Sequence, residues 1–218
     1  MRTRNTLLAA LAATLAISSV AGATGPRPQR PGMMVEAPPG YTYNASWVTG
    51  VSQDGGAKGQ SIKLGDQSTD TTDFAYYAFA GWWDHKLTDV RKIRASFYQA
   101  GATNSGGSPR MSIELADSNY QPTGGVIYLD PAYCGALGTD GWVYSDFTGS
   151  LSTTCSIWDS NGTQYVGDGS QSAWSKLVSD PAYAGMRIWF AYFIQDATTG
   201  FNYIDRIYLD SAFFTKAP

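Results

Sequence analysis

The side chains able to do chemistry are few. His85 is the only histidine, so a Ser-His-Asp relay would have to be built on it. It stands in Trp82-Trp83-Asp84-His85-Lys86, an expected inter-strand loop, without a Gly-x-Ser-x-Gly elbow, and an ordinary surface histidine is the competing reading. Glycosidases oppose two carboxylates at a set separation. Glu36 and Glu114 are the only glutamates. Glu114 lies between Ile113 and Leu115, so in a strand it points away from them, either to a ligand-facing surface or to a solvated face. The aspartates are numerous but show no diagnostic spacing. Asp66, Asp70 and Asp73 gather in a Ser/Thr-rich stretch and could offer hard oxygens to a cation. No EF-hand pattern accompanies them, and an acidic turn whose carboxylates cap the local backbone is the plainer alternative. No site residue is therefore assigned a catalytic or metal-ligating role.

Binding chemistry is better represented. Trp82 and Trp83 are adjacent, so a flat strand could bury only one of them. In a loop both indoles could stack on sugar rings, while Asp84 and the turn Asn119-Tyr120-Gln121 pair with hydroxyls. The competing reading is that the indoles seal one end of the fold, since large aromatics are usually mostly buried. The expected ligand-binding set is Trp82, Trp83, Asp84, Asn119, Tyr120 and Gln121.

The elements that must carry these residues are strands. Alternation and turn signals place strands near 41–49, 60–65, 73–80, 90–99, 109–116, 124–130, 141–147, 186–194 and 202–210. Turns are marked by Asp54-Gly55-Gly56, Asn104-Ser105-Gly106-Gly107, Gly124-Gly125, Asn161-Gly162 and Gly167-Asp168-Gly169. Short strands with regular turn signals mean a sandwich or a barrel. Residues 186–194 are nearly all apolar or aromatic, as in the centre of a sheet. In 202–210 strict alternation sets Ile204, Arg206, Tyr208 and Asp210 against Tyr203, Asp205, Ile207 and Leu209. One helix is expected: Trp174, Leu177 and Val178 share a face, and Ser172 is placed to cap it.

The ends and the cysteines bound the setting. Arg2 and Arg4, an apolar run from Leu7 to Val20, and Ala21-Gly22-Ala23 read as a signal peptide over 1–23. The run is short for a membrane span. Residues 24–40 read as an extended Pro-rich leader, and 41–218 as a single sandwich domain. The whole chain carries 15 Lys+Arg against 18 Asp+Glu, and without Arg2 and Arg4 the balance is 13 against 18, or −5. No basic run occurs, so nucleic acid and anionic membrane surfaces are poor partners. Cys134 and Cys155 are the only cysteines. In an exported chain they are expected to pair, contributing roughly 3 kcal/mol by closing their loop. The expected localisation is extracellular, with no membrane insertion.

The layout resembles the galactose-binding-like and carbohydrate-binding-module type jelly-roll domains of secreted bacterial proteins. The resemblance rests on Gly59-Gln60-Ser61-Ile62-Lys63-Leu64, on Arg94-Ala95-Ser96-Phe97-Tyr98 leading by a Gly-rich loop to Gly107-Ser108-Pro109-Arg110-Met111-Ser112-Ile113, and on Gly141-Trp142. The Trp174 helix and Tyr203-Ile204-Asp205-Arg206-Ile207 complete it. It spans most of 41–210. It implies an all-β, antiparallel jelly-roll β-sandwich with one short helix before the last two strands. It also implies recurring positions at Arg110 and Asp205, which as a buried pair would be structural. No cofactor is implied beyond a structural calcium ion of the kind such domains often hold.

Three functions compete. The first is a secreted, non-catalytic carbohydrate-binding or surface-interaction module whose partner is a polysaccharide or cell-surface glycan. The second is a structural component of a protein–protein assembly, which would show a large exposed apolar patch. The third is a polysaccharide-active enzyme on the same fold, which would need two converging carboxylates.

Overall fold

The computed structural model describes residues 34–36, 42–43, 45–49, 51, 60–65, 74–79, 85–100, 109–138, 141–196, 201–210 and 212–215. The expected signal peptide, most of the 24–40 stretch, Asp66, Asp70, Asp73, and the predicted site residues Trp82, Trp83 and Asp84 lie outside them.

The strands are β1 (Met34–Glu36), β2 (Thr42–Tyr43), β3 (Ala45–Thr49), β4 (Gln60–Leu64), β5 (Phe74–Phe79), β6 (Ile93–Ala100), β7 (Arg110–Ala116) and β8 (Pro122–Leu129). They continue with β9 (Gly135–Leu137), β10 (Val143–Asp146), β11 (Ser156–Asp159), β12 (Gln164–Val166), β13 (Arg187–Asp196), β14 (Phe201–Leu209) and β15 (Ala212–Thr215). Among the described residues two α-helices interrupt them, α1 (Pro131–Cys134) and α2 (Ala173–Ser179). They build an all-β sandwich. One sheet has eight strands in the order β1-β15-β14-β6-β10-β9, with β4 and β3 added beside β14. The other has seven, in the order β12-β11-β8-β7-β13-β5-β2. Neighbours run antiparallel except β1 and β15, which are parallel.

The core lies between the sheets. Met111, Ile113 and Leu115 of β7, Ile127 and Leu129 of β8, and Phe193 of β13 face Phe97 of β6, Ile62 of β4 and Ile204 of β14, all buried. Phe97 and Phe193 meet edge to face across the gap at 5.7 Å. β13 is central, between β7 and β5. Its near-continuous apolar run has a cause on each side. Ala191 and Phe193 enter the core, while Tyr192 and Ile194 join Ala78, Tyr76 and Phe190 in a smaller apolar cluster on the outer side.

Two expectations are refined. The 41–49 stretch serves both sheets, because β2 pairs with β5 and β3 with β4. In β14 the strict alternation fails. The register against β6 slips between Asp205 and Tyr208, and Arg206 takes the left-handed conformation at φ 49°. One extra residue turns Ile207 and Leu209 to the same core as Ile204, as a β-bulge does.

The helix forms as expected. Ser172 Oγ accepts a hydrogen bond from Ser175 N at 3.1 Å, satisfying an orphan donor of the first turn. Trp174 and Leu177 are buried, and the indole Nε1 donates to Val90 O at 3.3 Å. Cys134 and Cys155 are disulfide-bonded. The bond closes the excursion in which the chain leaves the seven-stranded sheet after β8, adds β9 and β10 to the eight-stranded sheet, and returns as β11.

Candidate functional site: the outer face of the seven-stranded sheet

Because Met111, Ile113 and Leu115 enter the core, Arg110, Ser112 and Glu114 must point outward. The register then assembles a surface. Trp158 of β11 lies opposite Tyr128 of β8, Tyr128 opposite Ser112 of β7, and Ser112 opposite Tyr192 of β13. The adjacent row sets Val126, Glu114 and Phe190 side by side, and the row on the other flank sets Arg110 beside Ile194. Four strands thus place one carboxylate, one guanidinium and four aromatic rings on one face.

The electrostatics of this face differ from those of a solvated strand. Arg110 is 9 % exposed, and its guanidinium carbon lies 5.1 Å from the Tyr128 ring centroid, within the range of cation–π attraction. Burial pushes the Glu114 carboxyl above the usual carboxylate range, and a hydrogen bond from the Tyr192 hydroxyl partly offsets it. The same burial, then the Glu114 charge, pushes the Tyr192 phenol well above its ordinary value, while Arg110 opposes the shift. Ser112 is fully buried among these side chains, and its hydroxyl has no hydrogen-bond partner among the described residues. Trp158, which lies opposite Gln164 of β12 on its other side, and Tyr128 are partly exposed. Such a face can stack a sugar ring on Trp158 and Tyr128 while Arg110 and Glu114 pair with its hydroxyls.

Nearby carboxylates serve the backbone. Asp159 accepts from Asn161 N and Thr163 N, at 2.9 and 2.8 Å, and from Tyr183 Oη at 2.7 Å. Asp130 caps α1 by accepting from Ala132 N at 2.7 Å. Among the described residues no group of three or more His, Cys, Asp or Glu side chains could hold a metal ion.

Of the predicted binding residues, Asn119, Tyr120 and Gln121 form the β7–β8 turn. Asp117 Oδ1 accepts from Asn119 N and Gln121 N at 2.9 and 2.8 Å, and Tyr120 has φ 65°. The Tyr120 ring lies 5.3 Å from Trp189 of β13. The turn therefore borders the candidate face at its Glu114 end. His85, which follows the Trp82-Trp83-Asp84 stretch in sequence, reaches the same end: its carbonyl accepts from Ile188 N at 2.9 Å. The His85 ring stands 3.9 Å from Asp210, whose other oxygen accepts from Arg91 N at 2.7 Å, so this carboxylate anchors a loop. Arg110 and Asp205 belong to different sheets.

Sequence reasoning singled out Glu114 but missed Tyr128, Trp158, Ser112 and Tyr192 as its neighbours. The signal was the alternation in Arg110-Met-Ser-Ile-Glu114, Ile127-Tyr128-Leu129 and Ile157-Trp158, where each outward residue sits beside a core residue. Which outward residues meet depends on strand order, and strand order is long-range information. Comparison with known proteins finds no family model, no curated protein and no solved structure that matches this chain.

Proposed function

We propose that this chain is an exported, non-catalytic module that binds a neutral polysaccharide across the outer face of the seven-stranded sheet, with the Asn119–Gln121 turn as its rim. The observation that carries the reading is the cross-strand pair Trp158–Tyr128, partly exposed and flanked on the same face by Arg110 and Glu114. The Arg and Glu charges offset one another, and the chain is acidic overall, with a sequence pI near 5.0, which disfavours polyanionic glycans. Export is supported by the charged-apolar-small order of residues 1–23 and by the disulfide, a bond that persists in oxidising compartments. No helix among the described residues is long and apolar enough to cross a membrane.

The test is a glycan array with an insoluble-polysaccharide pull-down, followed by affinity measurement on variants. Trp158→Ala should weaken binding by about 1–3 kcal/mol, roughly fivefold to 150-fold, through loss of one aromatic contact face. Glu114→Gln separates binding from folding. The folded-state pKa of Glu114 lies above its unfolded value, so its protonated form is the one folding favours. That contribution is complete below the unfolded pKa and is lost as pH rises through the folded value. At neutral pH Glu114→Gln should therefore melt no lower than the parent while binding more weakly. Undiminished binding by Trp158→Ala would move the site elsewhere.

A further inference from the structure

The central row of the candidate face crosses the whole seven-stranded sheet but is not open along its whole length. In register it runs Gln164, Trp158, Tyr128, Ser112, Tyr192, Ala78 over β12, β11, β8, β7, β13 and β5. Directly opposed residues share a face, so all six side chains lie on the outer side. Gln164 is exposed, and Trp158 and Tyr128 are partly exposed. Ser112 is 0 % exposed, Tyr192 8 % and Ala78 1 %. The change falls at Ser112. A short side chain on an outward face is covered only by longer ones, and four surround it: Tyr128 and Tyr192 in the row, Arg110 and Glu114 along its own strand. Arg110 lies over the Tyr128 ring, and the Tyr192 hydroxyl bonds to Glu114. Beyond Ser112 the face turns apolar, with Tyr192 and Ala78 packed against Ile194 and Phe190. Rings available for stacking therefore lie on the β12 side of Ser112 and stop there.

We propose that this face takes the end of a glycan chain and not its interior. The inference rests on the carbohydrate reading above and adds the class of ligand. Gln164, Trp158 and Tyr128 span two strand intervals, about 10 Å at the usual spacing, so the stacking surface is short. A chain laid along it enters past Gln164 and reaches Arg110 and Glu114, which stand on either side of the row at Ser112. A chain that continued would carry its hydroxyls over Phe190 and Ile194, which offer no hydrogen bond, and would lose their hydration. A terminal unit differs from an internal one by the hydroxyl that a further linkage would occupy. That hydroxyl arrives beside the guanidinium and the carboxyl, and hydrogen bonds to charged groups are the stronger kind. Gln164, beside Trp158, offers its amide to the unit behind.

The test uses the polysaccharide retained in the pull-down and the linear oligosaccharides that partial hydrolysis releases from it. In calorimetric titration, affinity should stop rising once the ligand outgrows the row, so the longest oligomers bind within about twofold of a tetramer. Shortening the polysaccharide should raise the protein bound per gram in proportion to the ends created. Trp158→Ala should weaken binding to oligomers and to ends alike, which fixes both signals to this face. Affinity that climbs steadily with length, or bound protein per gram unchanged by shortening, would show interior binding. Either result overturns the inference and leaves the carbohydrate reading standing. End-dependent binding that survives Trp158→Ala would overturn it as well. Failure to retain any polysaccharide would remove the carbohydrate reading itself, and this inference with it.

Discussion

Each sheet ends in a three-residue strand, and the two ends are finished differently. β12, Gln164-Tyr165-Val166, is buttressed by the segment that follows it. Tyr165 and Val178 pack on the core beside Trp174 and Leu177. The Tyr165 hydroxyl donates to Asp180 at the C-cap of α2 at 2.7 Å, and burial followed by that carboxylate pushes the phenol up to about 12. Lys176 and Asp168 pair at 2.9 Å across the turn between strand and helix. β9 has β10 on one side and the disulfide at its start. One edge is secured by a helix and by hydroxyl–carboxylate links, the other, among the described residues, by its pairing with β10 and by covalent closure. Closing a loop constrains where an edge sits, but it does not occupy the backbone groups along it.

The comparison breaks most severely if the buttress is removed. Trp174→Ala deletes the buried indole that anchors α2 and should cost about 3–5 kcal/mol in urea unfolding. The variant should also self-associate more readily through the uncovered β12 end. A loss under about 1 kcal/mol would mean that α2 is held by something other than this indole. Next is the covalent device at the other edge. Replacing Cys134 and Cys155 together by alanine should cost about 3 kcal/mol, and the β9–β10 amides should lose hydrogen-exchange protection before those of β12. Simultaneous loss at both edges would show that the disulfide stabilises the sandwich as a whole.

The smallest effect sharpens the chemistry of the guarded end. Burial opposes the ionised form of Asp159, but hydrogen bonds from Tyr183, Thr163 and Asn161 outweigh it and hold the carboxyl below its usual range. Its stabilisation is therefore complete above the unfolded value near pH 4 and is lost as pH falls through the lower folded value. Tyr183→Phe removes one donor. It should cost about 1.5 kcal/mol at neutral pH and give a shallower loss of stability as pH falls below about 4. An unchanged acid profile would assign the shift to the backbone donors.

The legible parts of the molecule were those with enough residues to show a period. β7, β13 and α2 stood out because three or more core residues recur at fixed spacing. β9, β11, β12 and β15 are three or four residues long, too short for alternation to rise above turn composition. The bulge at Arg206 was invisible because nothing in Asp205-Arg206-Ile207 announces a left-handed residue, a conformation usually taken by Gly or Asn. The candidate face was half legible: Glu114 could be read as outward from its neighbours alone, whereas the Trp158–Tyr128 pair needed the knowledge that β11 follows β8 across the sheet. Neither strand adjoins the other in sequence, and no local preference specifies their pairing.

The disulfide has a mechanical consequence. Cys134 and Cys155 are separated by 21 positions, and the bond short-circuits the chain between them. A force pulling the ends of the protein apart passes through the sulfurs, so β9 and β10 carry no load. The unfolded chain is also shorter than its sequence by about 70 Å of contour, at roughly 3.4 Å per residue. Stretching in an oxidising medium would unravel the sheets around a hairpin that cannot be drawn out, and a reductant would release that length in one step.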